Sequence, residues 1–105
     1  MIFKNFKQAH YYYNYPSSYR FGTIQDEYGV IRSYSNGKKG DKILDGGKTI
    51  YYKIKNDKIK NMYQKTIDLK TKVRFFSKTN QGVLDMGLYT PIKFKDGFVV
   101  LTKNT

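Results

Sequence analysis

The sequence predicts a β-rich α+β fold: a small twisted β-barrel or a strongly curved antiparallel sheet, OB-like or SH3-like, with one short helix near residues 57–66. Three observations carry that expectation. Residues 48–55 (KTIYYKIK) alternate strictly, placing Ile50, Tyr52 and Ile54 on one face and Thr49, Tyr51, Lys53 and Lys55 on the other. Asp96-Gly97 lies between two further alternating runs, which is the signature of a two-residue hairpin turn. Behind a capping Asn56 or Asp57, the residues Ile59, Met62, Tyr63 and Ile67 recur at helical spacing. About six or seven short strands and one helix follow from reading the whole chain in this way.

Taken in order, residues 1–7 read as a short strand with Ile2 and Phe6 inward. Residues 9–20 are dense in tyrosine (Tyr11, Tyr12, Tyr13, Tyr15, Tyr19), which suits an extended stacking arm or a loop pinned to the core, and Pro16 ends any regular element there. A hairpin is expected to pair residues 19–24 with 28–34 around a turn at Gln25-Asp26-Glu27. Asn36-Gly37 and the Gly37-Lys38-Lys39-Gly40 stretch mark a loop whose amides and ammonium groups could converge on a phosphate, although it lacks the GxxxxGK[ST] pattern. Residues 72–78 (KVRFFSK) form a second strand, Val73 and Phe75 facing one way and Lys72, Arg74, Phe76 and Lys78 the other. Residues 83–90 are a strand interrupted by a bulge at Gly87. In the last hairpin, Phe94 should oppose Val99 and Ile92 should oppose Leu101, leaving Lys93, Lys95, Phe98 and Val100 on the other face. Residues 1–105 are expected to be a single domain.

Charge gives the main functional clue. The 105 residues hold 20 Lys and Arg against 8 Asp and Glu, a net charge of +12. Such a field attracts polyanions. With 11 Tyr and 7 Phe the chain still has large side chains from which to build a core. Cysteine is absent and there is one histidine, His10, so disulfides are excluded and neither a metal site nor a cofactor is expected. No apolar run is long enough for a membrane span, and the first residues lack a signal-peptide core. An intracellular protein, cytoplasmic or nuclear, is therefore expected.

Nucleic acid, DNA or RNA, is the partner that best fits cations and aromatic rings sharing strand faces: cations neutralise phosphates, and rings can stack on unpaired bases. The residues expected to make contact are Arg32, Lys38, Lys39, Tyr51, Lys53, Arg74, Phe76, Lys93 and Lys95. The same aromatics could instead enter a second core layer. Two other classes stay open. One is a module that docks on an acidic protein partner, such as an inhibitor or accessory factor of viral or mobile-element origin, in which the Tyr11–Tyr15 arm would matter more than the sheet lysines. The other is a small RNA-cleaving toxin using Tyr89, Arg74 and Lys93, but no spacing of these residues demands catalysis, so a non-enzymatic role is expected.

Overall fold

The computed structural model describes residues 2–13, 24–25, 31–35 and 40–103. In chain order these form β1 (Ile2–Phe3), α1 (Phe6–Tyr12), β2 (Ile24–Gln25), β3 (Ile31–Ser35), β4 (Lys42–Leu44), a 3₁₀ turn over Asp45–Gly47, β5 (Thr49–Lys53), α2 (Asp57–Leu69), β6 (Val73–Thr79), β7 (Gly82–Lys95) and β8 (Phe98–Thr102). The strands make one β-rich sheet in the order β2-β3-β6-β7-β8-β5-β4, with β1 added to β7 beside that path. The sheet does not close into a barrel, so of the two architectures expected it is the open one. It is also mixed, because β3 runs parallel to β6 while every other pairing is antiparallel.

One face of the sheet, here the inner face, holds the main core. Alternation delivers Ile50 and Tyr52 from β5, Val73 and Phe75 from β6, Tyr89 from β7, and Val99 and Leu101 from β8. Helix α2 covers them with Ile59 and Tyr63 buried, and Met62 and Ile67 partly buried. Rings dominate the contact: Tyr52 meets Phe75 edge-on at 5.7 Å and Tyr63 at 6.0 Å, and Phe75 in turn meets Tyr89 at 6.1 Å. The Tyr63 hydroxyl is satisfied by Ser33 of β3, which ties the helix to the sheet through a buried polar pair. Asn56 caps α2 by accepting from the Ile59 N–H at 2.9 Å. The helix runs to Leu69, three residues past the expected end, and stops where Lys70 turns left-handed.

A second helix was not expected, and it changes the reading of the other face. Residues 1–7 do not form one strand. β1 ends at Phe3, which is the buried residue, while Ile2 is exposed. Asn5 then caps α1, accepting from the Gln8 N–H at 3.0 Å, while Gln8 returns its side-chain oxygen to the Lys4 N–H at 3.1 Å. Ala9 and Tyr13, four residues apart, pack with Phe3, Tyr34, Phe76 and Val83 into a second core on the outer face. Seven residues is short for a helix, so its stability comes from this packing rather than from propensity.

The first expected hairpin is described in part: β2 pairs antiparallel with β3 through Ile24–Arg32 and Gln25–Ile31, so Gln25 belongs to the strand and not to the turn, and residues 19–23 and 26–30 lie outside the described residues. The last hairpin differs from expectation in register. Phe94 opposes Val99 as expected, but Leu101 faces Pro91 rather than Ile92. Ile92 is the extra residue of a bulge and is 47% exposed. Proline lacks the N–H that a regular ladder needs, which makes this neighbourhood a natural bulge site. The bulge expected near Gly87 is present: Phe75 opposes Gly87 and Phe76 opposes Asp85, leaving Met86 as the extra residue.

Gly82 opens β7 with φ +136°, and a Cβ there would fall inside contact distance of the Phe3 carbonyl oxygen. Gly82→Ala is therefore expected to break the β1–β7 pairing and destabilise the protein by about 2 kcal/mol or more, as measured by denaturant unfolding.

Candidate nucleic-acid interface

Four strands assemble a cationic surface on the outer face, away from α2. Their register sets Lys42, Tyr51, Val100 and Lys93 in one row across β4, β5, β8 and β7. The next row holds Lys53, Phe98 and Lys95. Their neighbours Ile50, Tyr52, Val99 and Leu101 lie in the inner core, so by alternation these two rows face outward. Val100 is buried, Tyr51 and Phe98 are half-buried, and all four lysines are exposed. Tyr51 and Phe98 touch with ring centroids 6.0 Å apart. The Lys53 and Lys42 ammonium groups sit 5.0 and 5.4 Å from the centre of the Phe98 ring. A contact of that kind stabilises by about 0.5–1 kcal/mol at an exposed site, so the ring gathers the cations. Among the described residues none of these four lysines belongs to an ion pair, and their charge is left to act on solvent or a ligand.

At the far end of the same face lies a different arrangement. The Met86 bulge turns Asp85 outward, where Arg74 Nη1 meets its Oδ2 at 3.2 Å. The Tyr13 hydroxyl donates to the same carboxylate oxygen, and Arg74 Nη1 donates to the Tyr13 oxygen at 3.1 Å. The guanidinium also lies 4.2 Å from the centre of the Tyr13 ring. The second carboxylate oxygen accepts from the Gly87 N–H at 2.8 Å. The Asp85 side chain is 7% exposed and that of Arg74 21%. This node anchors the end of α1 to the sheet, and its arginine is already neutralised.

The residues expected at the interface therefore separate. Tyr51, Lys53, Lys93 and Lys95 share one surface. Arg74 points the expected way but is engaged by Asp85 and Tyr13. Phe76 also points the expected way, yet it is 1% exposed because α1 covers it, so its ring offers no face for stacking. Arg32 lies in β3 with its Cα in register with Arg74. Lys38 and Lys39 lie outside the described residues, as does most of the tyrosine-rich segment beyond Tyr13. Lys42 was missed by sequence reasoning; the signal for it is the Asp45-Gly46-Gly47 turn, which folds β4 back onto β5 and sets Lys42 beside Tyr51. Tyr89, considered above for RNA cleavage with Arg74 and Lys93, lies fully buried on the inner face and donates to the Gly47 carbonyl. The sheet separates it from the other two.

Burial, and then the hydrogen bond to Asp85, push the Tyr13 phenol up to about 12 from its ordinary 10.0. Burial also raises Tyr34 and Tyr89. A raised phenol stabilises the fold fully below pH 10.0 and loses that contribution as pH climbs through about 12. Unfolding free energy should fall across that interval, and Tyr13→Phe should flatten the fall relative to the wild type in matched denaturant titrations.

No protein-family model matches this sequence, and no curated protein matches it. Solved structures do resemble it in fold. A crystal structure of the SUVH5 SRA in complex with methylated CHH DNA superposes with a TM-score of 0.71 at 17% sequence identity, covering 99% of this chain and 86% of the other. A SUVH5 SRA complex with fully methylated CG DNA gives a TM-score of 0.71 at 16% identity over 99% of this chain and 87% of the other. The chain thus has an SRA-like fold.

Proposed function

We propose that this protein binds DNA through the outer face of β4, β5, β8 and β7, chiefly by phosphate contacts. The observation that carries the reading is the register that gathers Lys42, Lys53, Lys93 and Lys95 around Tyr51 and Phe98 with none of their ammonium groups in an ion pair among the described residues, the Asp41 carboxylate at this edge accepting instead from the Lys53 backbone N–H at 2.7 Å. Lysines act on phosphates as point charges and release counterions when they bind. Two ammonium groups already lie close to the Phe98 ring, which favours phosphate contact with a duplex over stacking on unpaired bases. The likeness in fold to SRA structures solved with methylated DNA makes duplex DNA, methylated and unmethylated, the first ligand to try.

Fluorescence anisotropy against labelled duplex and single-stranded DNA, titrated with salt, tests this. Lys53→Ala and Lys95→Ala should each weaken duplex binding and lower the slope of log K against log salt by about one. Tyr51→Ala should have little effect on duplex affinity. Equal slopes in all variants would move the site away from this face.

A second reading has its own observation. Tyr11 is 80% exposed, and it lines an open groove of about 690 Å³ with Phe3, Asn5, Lys7, Gln8 and Tyr12. Tyrosine presented in this way suits docking on an acidic protein. That reading predicts that Tyr11→Ala abolishes partner capture while DNA affinity is unchanged.

A further inference from the structure

We infer that the exposed side of α2 is a second polyanion-binding face, so that one molecule can hold two DNA duplexes at once and bridge them. The inference rests on the DNA-binding reading and adds a second, separate site to it. Residues 55–72 contain six lysines and two aspartates. Ile59, Tyr63 and Thr66 point into the inner core, which leaves Lys58 and Lys65 exposed together on one flank of the helix. They are two turns apart, about 10 Å along the axis. Exposed Lys55, Lys70 and Lys72 extend the charge beyond both ends of the helix.

The two acidic residues offset part of it and leave residues 55–72 with a net charge of +4, six lysines less two aspartates. Asp57 lies in the first turn of α2, where the helix dipole favours a negative charge, and Asp68 accepts a hydrogen bond from Gln64 at 2.9 Å. Neither pairs with a lysine among the described residues. So many unpaired like charges repel one another and oppose folding, and a bound polyanion relieves that repulsion.

Geometry separates this face from the first one. α2 packs on the inner side of the sheet, while Tyr51, Phe98 and their lysines face outward from β5 and β8. The molecule measures 32 × 30 × 28 Å, several times the Debye length of about 8 Å at physiological salt. A duplex on one face is therefore largely screened from a duplex on the other.

The test uses the full chain, a bead-bound duplex and a fluorescent free duplex of the same sequence. Wild-type protein should retain the free duplex on the beads at intermediate protein concentration and release it in excess, when each duplex carries its own protein. Lys58→Glu/Lys65→Glu should lower that retention about tenfold or more and leave affinity for a single duplex within about twofold. Lys58→Gln/Lys65→Gln should act in the same direction more weakly, with thermal unfolding showing that both variants fold. Retention unchanged by charge reversal would overturn the inference. So would single-duplex affinity falling in step with retention, because one duplex would then be touching both faces. A wild-type protein that binds a single duplex but never retains a second also overturns it, while leaving the DNA-binding reading intact. Failure to bind even the first duplex would remove that reading itself.

Discussion

Strand β7 is the constraint on which the rest of the molecule depends. It pairs with β6 through its first half and with β8 through its second, so both parts of the sheet take their facing from it. An unbroken strand alternates with period two and could not serve both parts with this sequence. Tyr89 must face inward, and strict alternation from it would send Lys93 and Lys95 inward too, with Phe94 outward. The extra residue at Ile92 reverses that parity, placing the lysines outside and Phe94 against the core. The extra residue at Met86 does the same for Asp85, which would otherwise face the core as an unpaired carboxylate. Two irregularities thus decide where four charged or aromatic side chains lie.

The outer face is then divided by what covers it. Where α1 packs, the face becomes a second aromatic core: Phe3, Tyr13 and Phe76 meet with centroids 6.1–6.5 Å apart, and exposed Tyr12 lies against its edge. Arg74 at that margin is desolvated enough to need Asp85 and Tyr13. Desolvating a charge is tolerable only when its partners are in place, and removing one partner strands the other. Where no helix packs, the same face keeps its lysines in water. The two ends of one surface therefore differ in what they leave exposed to solvent, because one is covered and the other is not.

This division also explains why the net charge of +12 is compatible with a folded chain. Large rings buried on both sides of the sheet supply apolar area that small aliphatic side chains would not, at 150–250 Å² each. Ammonium groups meanwhile settle near ring faces, as Lys53 and Lys42 do beside Phe98 and Lys60 does beside Phe94. The charge that remains unpaired is outward-facing, which is what polyanion binding requires.

The sequence by itself determined the class of fold, the facing of β5 and β6, the position of α2, and the turn of the last hairpin. Those features rest on local periodicity and turn chemistry, which short windows of residues express completely. It also set Tyr51 and Lys53 on one face of the 48–55 strand, and Lys93 and Lys95 on one face of the last hairpin. Only the tertiary structure decided that this strand adjoins that hairpin, that Lys42 joins them, and that Phe76 and Arg74 do not. Covering by α1 removed Phe76, and pairing with Asp85 and Tyr13 removed Arg74; the signal for α1 was faint, a cap at Asn5 and Gln8 in a stretch whose apolar residues also suit a strand. Pairing between distant strands, the parallel β3–β6 ladder above all, depends on contacts among residues some forty positions apart. Local pattern carries no record of such contacts, because they are chosen by burial of the whole and not by any one segment.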